Sequence, residues 1–410
     1  RTASVNQVSG AVFNPAAAFA LGLSKSMGGP GLEWRLVACY AGVQTLAAVA
    51  AGVSYTLLFG RSFQLQPEAG FGWLNAGVCE MLYALMLSFV ILTFTSARKP
   101  CGEQNQYFGL AVAFVTAAGV YGAGAVSGGC FNPATAIGID VSSAGAGFGW
   151  CVPYCLFQLL GAAVACVLHS YIRPEDFHGR AHPLRSQFLA EFTGTWLLVS
   201  TVGLNVFAKS EAAAFSIAAA LMSMVYSLAD VSGAHFNPAV TAAIWASCRL
   251  STFDRKQAAL HVAAQLLGGV AGVATYSLVY IGNAFRVGPV GASSWGQVVI
   301  GEVIFTFLLA YVVLCVAVSS RTQATQMFGL AIGGCVIAAG LAIGNISGAA
   351  LNPAVSLPAA AVYMGQGGLL NGMIYASAEV TGALLAAGVF SVTHSIDLAA
   401  PTLGKLLGQL

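Results

Sequence analysis

Charge is scarce in this chain: Asp, Glu, Lys and Arg together make up 7% of its 410 residues, against about 25% in soluble domains. With apolar residues at 58% and a mean hydropathy of +0.80, water cannot face most of the surface, and the composition predicts a polytopic membrane protein set in a lipid bilayer. The 16 basic and 14 acidic residues leave a net charge of +2, so no nucleic-acid partner is expected. Ten cysteines are scattered without paired spacing, mostly in apolar segments, which argues against a disulfide framework and a zinc site. No nucleophile, base and orienting group recur at catalytic spacing, and no nucleotide loop is present. Enzymatic activity, metals and cofactors are therefore not expected. Glycine, by contrast, is abundant at 49 residues. Many glycines lie inside apolar runs, as at Gly268, Gly269 and Gly272, where small residues let membrane helices approach closely.

What the chain has in its place is a repeat. The frame Ser-Gly-x-x-x-Asn-Pro-Ala occurs from Ser9, Ser127, Ser232 and Ser347. It carries Asn14-Pro15-Ala16, Asn132-Pro133-Ala134, Asn237-Pro238-Ala239 and Asn352-Pro353-Ala354. Such periodicity overrides local readings. Apolar runs long enough to span a bilayer are predicted near 33–59, 73–96, 106–126, 148–172, 187–208, 212–231, 256–282, 296–318, 325–345 and 370–394. The polar stretch 173–186 reads as a linker between two units, the first with four spans and the second with six. A carboxylate precedes three of the four asparagines inside a span, at Glu80, Glu191 and Glu302, where an ionisable group needs an interior partner. An amide or carboxylate follows each asparagine, at Gln44, Gln158, Gln265 and Glu379, with Tyr40, Tyr154, His261 and Tyr375 one helical turn earlier. These last pairs read as packing.

Pro at the first helical position and Asn as its cap make each frame a helix start. Irregular backbone at membrane depth is tolerated only when buried in protein or lining an aqueous path, so the four breaks predict a water-filled pore. On these residues the chain resembles the aquaporin, or major intrinsic protein, family over nearly its whole length. The resemblance implies an all-α membrane fold: a six-helix bundle with two re-entrant half-helices per unit, built from inverted repeats, with two units in tandem. Residues 1–172 would form a first unit lacking its first two transmembrane helices, 173–186 a cytoplasmic linker, 187–396 a complete second unit and 397–410 a C-terminal tail. The missing front suggests upstream spans, with a further glutamate some 46 to 52 residues before Asn14, the range that the other three show. The resemblance also implies that Glu80, Glu191 and Glu302 hold the descending loops, and that facing half-helix ends repel cations and protons.

The expected function is a passive channel for water and small uncharged solutes such as urea, ammonia, hydrogen peroxide or glycerol. The alternative is a non-conducting structural or regulatory protein that keeps the fold. Most aquaporins place Arg after the second Asn-Pro-Ala; here the place holds Thr135 and Val355. The other constriction positions read Val120 and Gly129 in the first unit and Ile217, Gly340 and Ala349 in the second, so the second ring is expected to be small and apolar, and wider than in a strict water channel. His235 matches a family residue that lines the inner pore. With both units' ends inside, thirteen basic residues fall on the cytoplasmic side, Arg1, Lys25, Arg35, Arg98, Lys99, Arg173, Arg180, Arg185, Arg249, Arg255, Lys256, Arg321 and Lys405, and three outside, Arg61, Lys209 and Arg286, in accord with the positive-inside rule. The expected assembly is a homo-oligomer of two chains forming a pseudo-tetramer of units.

Overall fold

The computed structural model describes residues 9–96, 107–144, 149–179, 183–247, 253–324 and 326–395. The predicted tail at 397–410 and the basic residues Arg1, Arg98, Lys99, Arg180, Arg249 and Lys405 lie outside them. The described residues are helical, with no strand among them. In chain order the helices are α1 (Pro15–Ser26), α2 (Trp34–Phe59), α3 (Trp73–Ser96), α4 (Phe108–Ser127), α5 (Pro133–Ser142), α6 (Cys151–Ile172), α7 (Pro174–His178) and α8 (Pro183–Ala208). There follow α9 (Ala213–Ser232), α10 (Pro238–Ser247), α11 (Arg255–Val279), α12 (Trp295–Val313), α13 (Phe328–Ser347), α14 (Pro353–Ala361) and α15 (Gly368–Thr393). Helix α12 runs on as a π-turn over Leu314–Val318.

Nine of these helices are long and apolar enough to cross a membrane, counted among the described residues. Helix α8 is equally long at 26 residues but carries Arg185 and Glu191 and turns several polar groups inward, Thr193, Thr195, Ser200 and Thr201 being buried. Four short helices, α1, α5, α10 and α14, begin at the four Asn-Pro-Ala sequences. The polar stretch after α6 is partly helical: α7 is a single turn, and Arg173, Asp176 and Phe177 are buried, with Arg173 Nη2 donating to the Ser227 carbonyl at 3.1 Å.

By contacts the chain divides into two compact units, one of residues 1–186, 204–227 and 275–283, the other of residues 187–203, 228–274 and 284–410. In the first, Gly161 of α6 lies against the Met81 carbonyl of α3 so closely that a Cβ would collide with it. In the second, Gly382 of α15 meets the Val303 carbonyl of α12 in the same way, and Gly268 of α11 meets the Phe192 carbonyl of α8. Close contact of backbones through glycine is how membrane helices gain dispersion energy when lipid is as apolar as they are. Helix α2 makes its close approach to α5, Gly52 lying against the Gly138 carbonyl; the rest of it is little covered, Val37 being its buried residue while Leu46 and Leu57 are 72% and 80% exposed.

Candidate functional site: the four asparagine loops

Each position of the repeated frame has a physical duty. The glycine follows a helix end and takes a left-handed conformation, with φ of +69° at Gly10, +79° at Gly128, +87° at Gly233 and +82° at Gly348. That is the ordinary way to stop a helix, and the N–H groups of Gly128, Gly233 and Gly348 close it onto Gly124, Ala229 and Gly344. The serine hydroxyl oxygen accepts from the N–H two residues on, at 3.3 Å for Ser9 and Ala11, 3.2 Å for Ser127 and Gly129, and 3.1 Å for both Ser232 with Ala234 and Ser347 with Ala349. The residues three and one before each asparagine also have positive φ, among them Phe13, Phe131, Phe236 and Leu351 at 50–52°. For side chains other than glycine this costs of order 1–3 kcal/mol each, so something must hold the loops.

In three loops a glutamate does so. Alternating right- and left-handed residues turn successive N–H groups to one side, forming a concavity that suits an anion. Glu80 accepts from the Ser127 hydroxyl at 2.7 Å, Cys130 N–H at 3.0 Å and Phe131 N–H at 2.6 Å. Glu191 accepts from Ser232, His235 N–H and Phe236 N–H at 2.6, 3.0 and 2.7 Å. Glu302 accepts from Ser347, Ala350 N–H and Leu351 N–H at 2.5, 3.1 and 2.8 Å. With the two N–H groups before each of these asparagines drawn to the carboxylate, the carbonyl just before the asparagine is left for the opposite side.

Six of the residues read as packing, Tyr40, Tyr154, Tyr375, His261, Gln158 and Gln265, prove to be anchors of these loops or their carboxylates, a correction to the sequence reading. The hydroxyls of Tyr40, Tyr154 and Tyr375 donate to the carbonyls of Ser9, Ser127 and Ser347 at 3.0, 2.7 and 2.7 Å, and His261 Nε2 lies 3.0 Å from the Ser232 carbonyl. One turn on, Gln158 donates to Glu80 at 2.7 Å and Gln265 to Glu191 at 2.8 Å. Their recurrence at similar offsets after the four asparagines was the signal. The glycines Gly161, Gly268 and Gly382 each come three residues after that amide or carboxylate and seat it beside its glutamate.

The fourth loop is incomplete. Among the described residues the N–H groups of Val12 and Phe13 find no acceptor, Gln44 Oε1 is buried without a partner, and the place of the glycine holds exposed Ala47. Phe13 is 40% exposed, whereas Phe131, Phe236 and Leu351 are 3% or less.

The asparagines close the geometry. Asn14, Asn132, Asn237 and Asn352 each accept through Oδ1 from the alanine two residues on, at 2.8–3.0 Å, which caps the short helix. Within each compact unit the loops are cross-tied. Asn14 Nδ2 donates to the Phe131 carbonyl at 2.8 Å and Asn132 Nδ2 to that of Phe13 at 3.0 Å. Asn237 Nδ2 donates to the Leu351 carbonyl at 2.7 Å and Asn352 Nδ2 to that of Phe236 at 2.9 Å. Two short helices therefore meet N-terminus to N-terminus in each unit. An amide nitrogen has two hydrogens, so each asparagine keeps one beyond its cross-tie.

The family model for the major intrinsic protein matches residues 2–138 and 179–390. The chain belongs to the major intrinsic protein family. Aquaporin NIP1-1 of Oryza sativa subsp. japonica is 34% identical over 220 residues, 51% of this chain and 75% of the relative. Aquaporin NIP1-2 of Arabidopsis thaliana is 33% identical over 231 residues, 52% and 76%. Probable aquaporin AqpM of Archaeoglobus fulgidus is 36% identical over 148 residues, 34% and 57%. The X-ray structure of the aquaglyceroporin from Plasmodium falciparum matches with a TM-score of 0.43 at 20% identity, over 50% of this chain and 94% of that one. Major intrinsic proteins are channels, and this chain is not an enzyme.

Of the family's constriction positions, Val355 lies buried in the first turn of α14 and its counterpart Thr135 is exposed in α5. Ala349 and Gly129 take positive φ, at 52° and 70°. Val120 on α4 is 43% exposed. Ile217 on α9 falls in the first compact unit, and Gly340 on α13 in the second. His235 is 8% exposed; its Nδ1 lies 3.1 Å from the Thr241 hydroxyl and its ring 5.0 Å from that of His261. Asp140 has a duty the motif does not predict: its Oδ2 accepts from Gly149 and Cys151 N–H at 2.9 and 2.8 Å, tying the entry of α6 to α5.

Proposed function

We propose that the chain conducts water and small uncharged solutes (urea, ammonia, hydrogen peroxide or glycerol) passively, along the axis where the helices begun at Asn237 and Asn352 meet. The observation that carries this reading is the reciprocal tie of the two asparagines to opposite loops, which leaves one amide hydrogen on each for a passing molecule. The facing positive helix ends disfavour cations there. Residues 187–396 form the conducting unit on this reading, with Glu191 and Glu302 holding its loops, His235 at its inner end and Gly340, Ala349 and Val355 at its constriction. The corresponding set in residues 1–172 is Asn14, Asn132, Glu80, Val120, Gly129 and Thr135.

Stopped-flow swelling of proteoliposomes tests this. Vesicles with the chain are expected to swell faster than empty ones, and equal rates would favour the non-conducting reading. Val355→Arg narrows an apolar ring and adds donors. It is expected to lower urea flux about tenfold and water flux at most about twofold, a barrier difference of order 1 kcal/mol. Equal loss for both solutes would remove Val355 from the constriction.

The basic residues support termini and 173–186 on the cytoplasmic side. Two chains are expected to associate as a pseudo-tetramer of units. The mass of the detergent-solubilised complex, corrected for bound detergent, checks this against a single chain.

A further inference from the structure

The fourth partner in the carboxylate sites differs in one place. Glu80 and Glu191 each receive a side-chain amide hydrogen, from Gln158 and Gln265. At Glu302 that place belongs to Glu379, three residues before Gly382 as the glutamines are before Gly161 and Gly268, and Gly382 lies against the carbonyl of Val303, the residue next to Glu302. Both glutamates are fully buried. Glu379 Oε2 accepts from the Ser356 hydroxyl at 3.1 Å. Among the described residues its Oε1 has no hydrogen-bond partner. The groups around the pair are the Ser347 hydroxyl of α13, the Ser356 hydroxyl of α14, the loop N–H groups, and Tyr375 of α15, whose hydroxyl donates to the carbonyls of Ser347 and Gly288. None of them is a cation.

We propose that Glu302 and Glu379 form a buried proton-binding site that holds one proton at neutral pH, carried on Glu379 Oε1 and donated to Glu302 as the glutamine amides are donated in the other loops. Two ionised carboxylates side by side in a membrane interior, without a cation, are excluded by mutual repulsion and lost hydration together. One proton, taken from the aqueous phase during folding, leaves a single negative charge shared by the pair and supplies the missing donor. The loop before Asn352 would then be held by an acid where the loops before Asn132 and Asn237 are held by amides.

This inference rests on the side chains of one loop and not on conduction, so an infrared measurement separates the two. The full chain, labelled with 13C-glutamate to distinguish its carboxyls from lipid esters, is expected to show a protonated-carboxyl C=O stretch at neutral pH that shifts in D2O. E379Q should remove that signal while keeping native thermal stability, because it restores the donor found in the other loops; Glu379→Ala should lose stability. The proposal is overturned if the native chain shows no such stretch, if E379Q retains it, or if E379Q is as unstable as Glu379→Ala. A missing stretch with thermal stability that rises in sodium over choline would mean that the pair holds a metal cation instead. A chain with the stretch but no swelling supports the proton site and refutes the channel reading alone.

Discussion

Glu191→Ala is expected to abolish channel activity and most of the folded population. The carboxylate gathers the Ser232 hydroxyl, the His235 and Phe236 N–H groups and the Gln265 amide, all in a fully buried place. Stranding a buried donor costs about 1–3 kcal/mol, and four of them together approach the ~5–15 kcal/mol that keeps a protein folded. The loop also loses what holds Ala234 and Phe236 at positive φ. Thermal unfolding of the solubilised protein, read alongside vesicle swelling, checks both parts. A variant with native stability and permeability would show that the loop is held from elsewhere. Because the first unit's Glu80 has the same four donors, Glu80→Ala should cost similar stability.

The second large effect is steric. A methyl group added at Gly382 would run into the Val303 carbonyl, with the backbone of Phe307 close behind it; neither can retreat as a flexible side chain can. Gly382→Ala is therefore expected to destabilise by about 1–3 kcal/mol, and Gly382→Val by more, pushing α15 from α12 and Glu379 from Glu302. Gly388, two turns along the same helix, has nothing within 4 Å of its would-be Cβ. Gly388→Ala should be neutral or should stabilise by up to about 1 kcal/mol, since it removes only backbone freedom from the unfolded chain. Melting temperatures of the two alanine variants, measured side by side, decide the matter. Equal shifts would mean that the close approach at Gly382 contributes nothing.

Much of this was legible in the order of residues. Spans forecast from apolar runs agree with the helices to within a few residues, because bilayer thickness sets both the length of an apolar run and that of the helix it forms. The starts of the short helices could be placed to the residue: in the repeated frame Pro suits the first helical position with Asn as its cap, and Ser-Gly ends the helix before. The three glutamates announced themselves because a charge in a membrane span is too costly to be incidental. The anchoring tyrosines and His261 were visible in spacing yet misread, since an aromatic residue one turn from an amide looks the same whether it packs or donates. What separates the two is a serine carbonyl arriving from about thirty residues earlier.

Only the packed chain could decide which partner yields space at a crossing. At the contact of α2 with α5 the residue set against Ala48 is Gly138, with the Ala48 carbonyl 2.6 Å from its would-be Cβ, and Gly52 of α2 makes a second close approach, to the Gly138 carbonyl. At the matching contact of α11 with α14 the glycine is on the other helix, Gly269, set against Ala354 and Pro358. Either arrangement supplies the same room, so no single position need be glycine, and the requirement belongs to the pair. The same holds for the carboxylate sites. Asn-Pro-Ala and its glutamates are readable one at a time because their cost is local. That Gln158 and Gln265 complete two sites, that Glu379 puts a second acid in a third and that the fourth stands open in the described residues depends on helices brought together from distant parts of the chain.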